Sequence, residues 1–237
     1  SISGLSNFDN FGMFLSAGDI NGDGYCDLAA GASGYSGGSL NGAAYVFLSG
    51  GSSGITVSSP SSANSVITGA GAGELAGVSV AIGDMNGDGY ADLSVGAVGY
   101  SSNKGRIYLF YSAGSSGITA GSFGSASFTV AGAGSSDRFG FVSVIADLDL
   151  DGYSELLVGA KGYSGGVNNG AAYIFTSSGS GISASSAGSG KLIPGSTAGD
   201  QLGYFIYSGD FNGDGYPDMA VSAYGYSSSA GAVYIFQ

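Results

Sequence analysis

A nine-residue signature, Asp-x-Asn-Gly-Asp-Gly-Tyr-x-Asp, begins at Asp19, Asp84 and Asp210, and a variant, Asp-Leu-Asp-Leu-Asp-Gly-Tyr-Ser-Glu, begins at Asp147. Successive copies lie 65, 63 and 63 residues apart. A fixed period of this kind restricts the fold more than any composition can, because each unit must bury its apolar face against a copy of itself. The same landmarks return around every signature. Upstream stands a residue-Gly pair at Phe11-Gly12, Ala76-Gly77, Phe139-Gly140 and Leu202-Gly203. Downstream come Gly31-Ala32, Gly96-Ala97, Gly159-Ala160 and Ser222-Ala223, each followed by a Gly-Tyr pair, and then a Tyr-apolar-Phe triplet at Tyr45, Tyr108, Tyr173 and Tyr234.

Each unit predicts four short strands with no helical periodicity. The first is the apolar run before the signature, Val78 to Ile82 or Phe141 to Ile145, which suits a strand buried on both faces. The second follows it, as in Leu156-Leu157-Val158, the third is the Tyr-apolar-Phe triplet, and the fourth is a stretch such as Ser65 to Thr68 or Ser127 to Val130. Ser/Gly-rich segments at Ser49 to Gly54 and Ser112 to Gly117 recur at one place per unit and so read as surface loops. With 48 Gly the chain could pass for disordered, but 43% apolar residues at fixed spacing can form an interior. Four-stranded units repeated around a ring predict an all-β fold, a β-propeller of four blades. The units run from about 5 to 69, 70 to 132, 133 to 195, and 196 to 237 together with 1 to 4, as one domain. Ile2-Ser3-Gly4 matches the end of a fourth strand, Ile67-Thr68-Gly69, while Gln237 follows a third, so the N-terminal strand is expected to complete the last blade and close the ring. The start at Ser1 fits a mature processed product or an excised fragment.

The signature is a set of oxygen ligands. Calcium takes six to eight of them, and a loop with side-chain oxygens at positions 1, 3, 5 and 9 and a carbonyl at 7 can wrap the ion. Those positions are Asp19, Asn21, Asp23, Tyr25 and Asp27; Asp84, Asn86, Asp88, Tyr90 and Asp92; Asp147, Asp149, Asp151, Tyr153 and Glu155; and Asp210, Asn212, Asp214, Tyr216 and Asp218. Position 12 is Ala30, Val95, Val158 or Val221, so the bidentate Glu of helix-loop-helix calcium sites is missing. Without Cys or His among the ligands zinc and copper are disfavoured, and magnesium, which keeps several waters, fits less well. Of the 17 acidic residues, 13 lie in the four signatures. The others, Asp9, Glu74, Asp137 and Asp200, each precede a residue-Gly pair by two and are expected to brace a turn or a neighbouring blade rather than bind metal. The acidity is therefore that of four Ca²⁺ sites, which would bring the formal charge from -12 to -4.

Phe11-Gly12, the loop Asp19 to Asp27 and Gly31-Ala32 together resemble the FG-GAP repeat of integrin α-subunit propellers and related secreted proteins, and the resemblance extends over all four units. It implies a propeller with calcium in the hairpin between the first and second strands of each blade, and an extracellular or cell-surface location. The chain departs from the pattern at Ala76 and Leu202, which replace the Phe, and at Ser33, Val98, Lys161 and Tyr224, where the pattern has Pro. Integrin propellers have seven blades, whereas four units stand here, so a single ring is expected, with an eight-bladed pair of chains or a strand-exchanged filament as alternatives.

The function expected on these grounds is a non-catalytic, extracellular calcium-binding module for adhesion, matrix or surface assembly, with a protein or glycan partner outside the cell. A lectin is the alternative, its platform the recurrent Tyr35, Tyr100, Tyr163 and Tyr226, although recurrence once per unit is what packing of blade against blade requires of them. An enzyme is not expected: there is no His, every carboxylate holds a repeat position, and the breaks in symmetry are few (Cys26, Lys104, Arg106, Arg138, Lys161, Lys191, and the group Tyr204, Phe205, Tyr207). A net charge of -12 excludes nucleic acid as a natural partner, and no apolar run is long enough to insert in a membrane as a helix.

Overall fold

A computed structural model describes residues 1–35, 39–163 and 167–237. Four antiparallel sheets follow one another along the chain. The first holds β1 (Phe11–Gly18), β2 (Asp27–Ala32), β3 (Ala43–Phe47) and β4 (Ser65–Ile67). The second holds β5 (Ala76–Gly83), β6 (Asp92–Ala97), β7 (Arg106–Phe110) and β8 (Phe128–Ala131), and the third β9 (Phe139–Ala146), β10 (Glu155–Ala160), β11 (Ala171–Phe175) and β12 (Lys191–Pro194). The fourth has three strands, β13 (Leu202–Gly209), β14 (Asp218–Ala223) and β15 (Ala232–Phe236). Every sheet is a simple meander, so each Asp-rich signature becomes the turn of the hairpin between the first two strands. Two helical turns, Tyr100–Asn103 and Tyr226–Ser229, depart from the all-strand expectation; both contain serines with positive φ and act as tight loop corners.

Alternation along the first strand of each sheet gives it two working faces, one toward the sheet before and one toward the sheet after. In β5 the forward face carries Ser79, whose hydroxyl donates to the Gly140 carbonyl at 2.9 Å, and the backward face carries Ile82, which fills the space beside Gly18. The residue-Gly pair sets how closely sheets approach. Gly77 has φ +89 and presents its carbonyl so near Gly31 that a Cβ there would overlap it, and Gly96 stands in the same relation to Gly140. The Gly of the Gly-Ala pair is thus required by the sheet that follows.

The core consequently lies between sheets. One apolar cluster joins Val46 and Ile67 of the first sheet to Val80, Leu93 and Phe110 of the second; another joins Ile107 and Val130 to Phe139, Val158 and Phe175; a third joins Leu157 and Ala172 to Ile206 and Val221. Segments between third and fourth strands reinforce these joints. Phe123, buried, packs on the Tyr108 ring at 4.9 Å, and its N–H donates back to Thr68 of the preceding sheet at 2.9 Å. Burying a ring of this size contributes about 1.5–3 kcal/mol.

The two ends differ from the interior. Met13 and Leu15 on the first sheet are 61% and 58% exposed, and Tyr207 and Val233 on the fourth are 71% and 65% exposed. The four inner strands β1, β5, β9 and β13 line one common cavity of about 440 Å³, but among the described residues no sheet closes the ring. The expected pairing of the N-terminal strand with the last sheet is not seen, since that sheet ends at β15. Ser3 donates to the Ser58 carbonyl of the first sheet at 3.4 Å, and Ile2 packs on that sheet's Tyr45–Phe47 cluster. Gly4 lies against Phe11, and the apolar surface nearest Ile2 belongs to the first sheet. Among the described residues no helix is long and apolar enough to cross a membrane.

Candidate metal loops

Each hairpin turn is organised by its own carboxylates. The position-1 side chain accepts backbone bonds from the N–H groups of positions 5 and 6: Asp19 from Asp23 (3.1 Å) and Gly24 (2.8 Å), Asp84 from Asp88 and Gly89, Asp147 from Asp151 and Gly152, Asp210 from Asp214 and Gly215; Asp84 and Asp210 accept a third from Gly87 and Gly213 at position 4. Position 3 (Asn21, Asn86, Asp149, Asn212) accepts from the position-5 N–H as well. Position 5 accepts from the N–H of Tyr25, Tyr90, Tyr153 or Tyr216. Positions 1, 3 and 5 therefore converge on one short arc of backbone, which folds around them as in an Asx turn.

The third loop differs in charge. In the other three the Asn amide donates to the position-5 carboxylate at 3.0–3.1 Å, whereas Asp149 has no N–H to offer. Oxygens of Asp147, Asp149 and Asp151 lie within 4.8 Å of one another. Three like charges at that distance repel strongly. A hard divalent cation removes that repulsion, so this donor set fits calcium; in the other loops two carboxylates and an amide oxygen make a weaker version of it.

Position 9 has a structural role in addition to the one expected from sequence. Asp27, Asp92, Glu155 and Asp218 are buried and accept the position-2 N–H, from Ile20, Met85, Leu148 and Phe211, at 2.9–3.0 Å. The second oxygen of the first three accepts from Ser49 (2.7 Å), Ser112 (2.9 Å) or Ser177 (3.3 Å) just beyond the third strand. These carboxylates bolt the hairpin to the third strand, and remaining lone pairs are free for a metal. Burial pushes the Asp92 carboxyl up to about 7, against the pull of its two backbone donors; burial raises Asp27 and Glu155 in the same way, and neighbouring loop carboxylates add to each shift.

Adjacent loops are joined. Ala91 N–H donates to the Asp19 carbonyl and Ser154 N–H to the Asp84 carbonyl, both at 2.9 Å. The Ser112 hydroxyl reaches the Ile20 carbonyl at 2.7 Å, and the Ser177 hydroxyl reaches that of Met85. Tyr90 lies over Gly22, and Tyr153 over Gly87, so tightly that a Cβ at either glycine would meet the ring. These serines were missed in the sequence, although a Ser two residues after each internal Tyr-apolar-Phe triplet was there to be read.

The other singled-out residues turn to structure. Asp9, Asp137 and Asp200 are buried and cap turns by accepting from Ser6 (3.1 Å), Gly134 (2.7 Å) and Thr197 (3.1 Å), while Glu74 accepts from the Tyr108 hydroxyl at 2.6 Å. Tyr35 and Tyr163 pack edge-on to Tyr45 and Tyr173, and Tyr100 lies under the Arg106 guanidinium at 3.5 Å; only Tyr226 of the four is exposed. Lys161 sits over the Phe141 ring at 3.6 Å, and Cys26 is free and exposed.

Comparison with known proteins places these hairpins in a family context. The FG-GAP repeat matches four times, at residues 11–47, 76–110, 139–175 and 202–236, which are the four sheets from first strand to third. Integrin alpha-PS2 of Drosophila melanogaster is 33% identical over 184 residues, 72% of this chain and 13% of that protein. Integrin alpha-IIb of Homo sapiens is 35% identical over 63% of the chain and 15% of its own length. Phosphatidylinositol-glycan-specific phospholipase D of Bos taurus is 34% identical over 59% of the chain and 17% of its own length. The chain thus spans less than a fifth of each of these relatives.

Proposed function

The chain belongs to the FG-GAP repeat family, and from that premise we propose that it is a non-catalytic, calcium-binding adhesion module of the β-propeller type that works outside the cell. One observation carries the reading: four hairpins in register each bring the side chains of positions 1, 3 and 5 onto one arc, and in the third three carboxylates converge with no counter-charge. The ligands assigned are Asp19, Asn21, Asp23 and Asp27 with the Tyr25 carbonyl, and their equivalents at 84–92, 147–155 and 210–218. The ion would supply charge neutralisation and rigidity; the buried position-9 carboxylates supply the link to the rest of each sheet.

Its partner is a protein ligand, since two of the relatives are integrin alpha chains. A glycan partner is the weaker reading, because three of the four recurrent tyrosines proposed as its platform are packed against other side chains. Catalysis finds no support either, as the carboxylates outside the loops cap turns or hold Tyr108.

Calorimetric melting with and without a chelator tests the calcium reading. At a hundredfold excess over Kd each site adds about 2.7 kcal/mol, so a large rise in Tm is expected on loading. Asp84→Ala should remove one bound ion in equilibrium dialysis, and Asp149→Asn should weaken binding at the third loop. An unchanged Tm with no retained calcium sinks the proposal. Adhesion is then tested by plating cells on immobilised protein, where attachment lost in chelator is the expected result.

A further inference from the structure

Resting on the reading that the partner is a protein, we propose that the end of the third sheet away from its metal loop binds a carboxylate side chain of that partner. The carboxylate sits between Lys161 and Arg138, and the rings of Phe141 and Tyr204 take the apolar residue beside it.

The sheets segregate charge. Of the 17 acidic residues 13 lie in the hairpin loops, whereas four of the five basic residues stand at the opposite ends of the strands: Lys104 and Arg106 around the start of β7, Arg138 before β9 and Lys161 after β10. β9 has 8 residues, so Arg138 and Lys161 are about 25 Å from the third metal loop. Neighbours account for two of the four. Arg106 lies over the Tyr100 ring at 3.5 Å, and Lys104 supplies the positive charge felt by Asp137, which is turned inward onto the Gly134 N–H at 2.7 Å. Arg138 and Lys161 are different: among the described residues neither has a carboxylate within ion-pair distance.

The repeat shows that the fold does not ask for these two cations. At the position of Arg138 the other units have Asn10, Leu75 and Gln201, with the same φ of +54 to +55, and at the position of Lys161 they have Ser33, Val98 and Tyr224. Only the third unit is cationic at both. Lys161 keeps its charge at a cost, since burial, and then the Arg138 charge, hold its ammonium below the ordinary lysine range. Like charges held together without a counter-ion are the condition that a bound anion relieves. The geometry leaves them available. Lys161 is half-buried, its ammonium 3.6 Å from the centre of the Phe141 ring and 4.6 Å from that of Tyr204, and Arg138 is exposed.

Surroundings select the anion. A polyanion such as a sulfated glycan needs many cations and would meet a chain of -12, whereas one carboxylate is matched by the donors of one Lys and one Arg. The Phe141 and Tyr204 rings, 5.1 Å apart, form an apolar flank that favours an acid standing beside an apolar residue.

Chemical-shift mapping on the whole, calcium-loaded chain tests the proposal with a Gly-Leu-Asp-Leu-Gly peptide capped at both ends and its Asn counterpart. The aspartate peptide should shift the amide signals of Arg138, Phe141, Lys161 and Tyr204, and the asparagine peptide should bind about tenfold more weakly, as for loss of a charge-assisted pair. Arg138→Leu with Lys161→Val installs the residues of the second unit, so the circular dichroism spectrum and the calcium retained in dialysis should be unchanged while affinity for the aspartate peptide falls by a similar factor. No binding of the aspartate peptide at millimolar concentration overturns the proposal. So do equal binding of the two peptides, a double variant that binds as before, and heparin binding at these residues where the aspartate peptide is silent. Peptide binding is read without cells, so this site stands if the aspartate peptide binds to a chain that fails to support attachment, and the adhesion reading alone then falls.

Discussion

In the second sheet every residue from Ala76 to Ile82 and from Asp92 to Ala97 is buried, whereas in the fourth Phe205, Tyr207 and the run from Val233 to Phe236 all reach solvent. Both sheets carry the same landmarks in the same order, and both fold into the same hairpin and third strand. What separates them is company. The second has a sheet on each side, and the fourth has one only. A repeat of this kind encodes the strand and its hydrogen bonds locally, while burial, and with it most of the stabilisation, arises at the joints. The two sheets are thus one local structure measured with and without its second neighbour.

Tyr108 and Tyr234 give the largest contrast. Each opens a Tyr-apolar-Phe triplet, yet Tyr108 is 5% exposed against the Phe123 ring and Tyr234 is 37% exposed. Tyr108→Ala should cost about 3–5 kcal/mol, the range for deleting a buried aromatic ring, and it also strands Glu74 without its hydroxyl partner. Tyr234→Ala should cost about 1 kcal/mol or less in the monomer, as for a surface substitution. Urea midpoints followed by circular dichroism read both. Equal losses would break the comparison, because they would mean that each sheet is stable by itself.

The sequence shows the repeat, the hairpins and the arc of positions 1, 3 and 5, because those depend on residues close together in the chain. Position 9 has a second role that the local pattern does not show: Asp27 reads as a ligand, and only Ser49, 22 residues on and donating to it, reveals that it also ties the hairpin to the third strand. Ile2-Ser3-Gly4 reads as a fourth strand from its likeness to Ile67-Thr68-Gly69, but nothing in the pattern says which sheet it pairs with, and its visible contact is with Ser58 of the first sheet. The packing of Tyr35 and Tyr100 depended on partners that periodicity does not name.

The metal loops repeat the contrast on a smaller scale. Gly87 has φ +71, and a Cβ on it would come within 2.5 Å of the Tyr153 ring of the next loop. At Gly213, with φ +78, a Cβ would meet nothing within 4 Å. Gly87→Ala should therefore cost about 2–3 kcal/mol, backbone strain plus displacement of the ring, and Gly213→Ala about 1–2 kcal/mol from strain alone. The third loop carries the converse case. Leu150 holds φ +60 where the other loops have Gly, and Tyr216, which would lie over it, is exposed instead. Leu150→Gly relieves that strain, so a gain of about 0.5–1 kcal/mol is expected after the added freedom of the unfolded chain is subtracted. Nuclear magnetic resonance resolves the Tyr153 ring from the other tyrosines, and its ring signals should shift for Gly87→Ala and stay as they are for Gly213→Ala.

The smallest effect concerns a single N–H. Ala91 and Ser154 each donate to the position-1 carbonyl of the loop before, and the equivalent residue of the fourth loop is Pro217, which has no proton to give. The joint between third and fourth loops therefore lacks both the bond and the ring contact that the other two possess. Ser154→Pro reproduces that condition in the second joint at a position whose φ a proline already tolerates in the fourth loop. Loss of one hydrogen bond predicts about 1 kcal/mol, with the Asp84 carbonyl turning to water because the loop is exposed. Hydrogen exchange resolves what a melting curve would blur: in the native chain the Ala91 and Ser154 amides should be protected, and in Ser154→Pro only Ala91 should remain so. If the third loop then opens no faster than before, the bond contributes nothing to the joint. The difference between interior and end sheets would rest on the apolar faces alone.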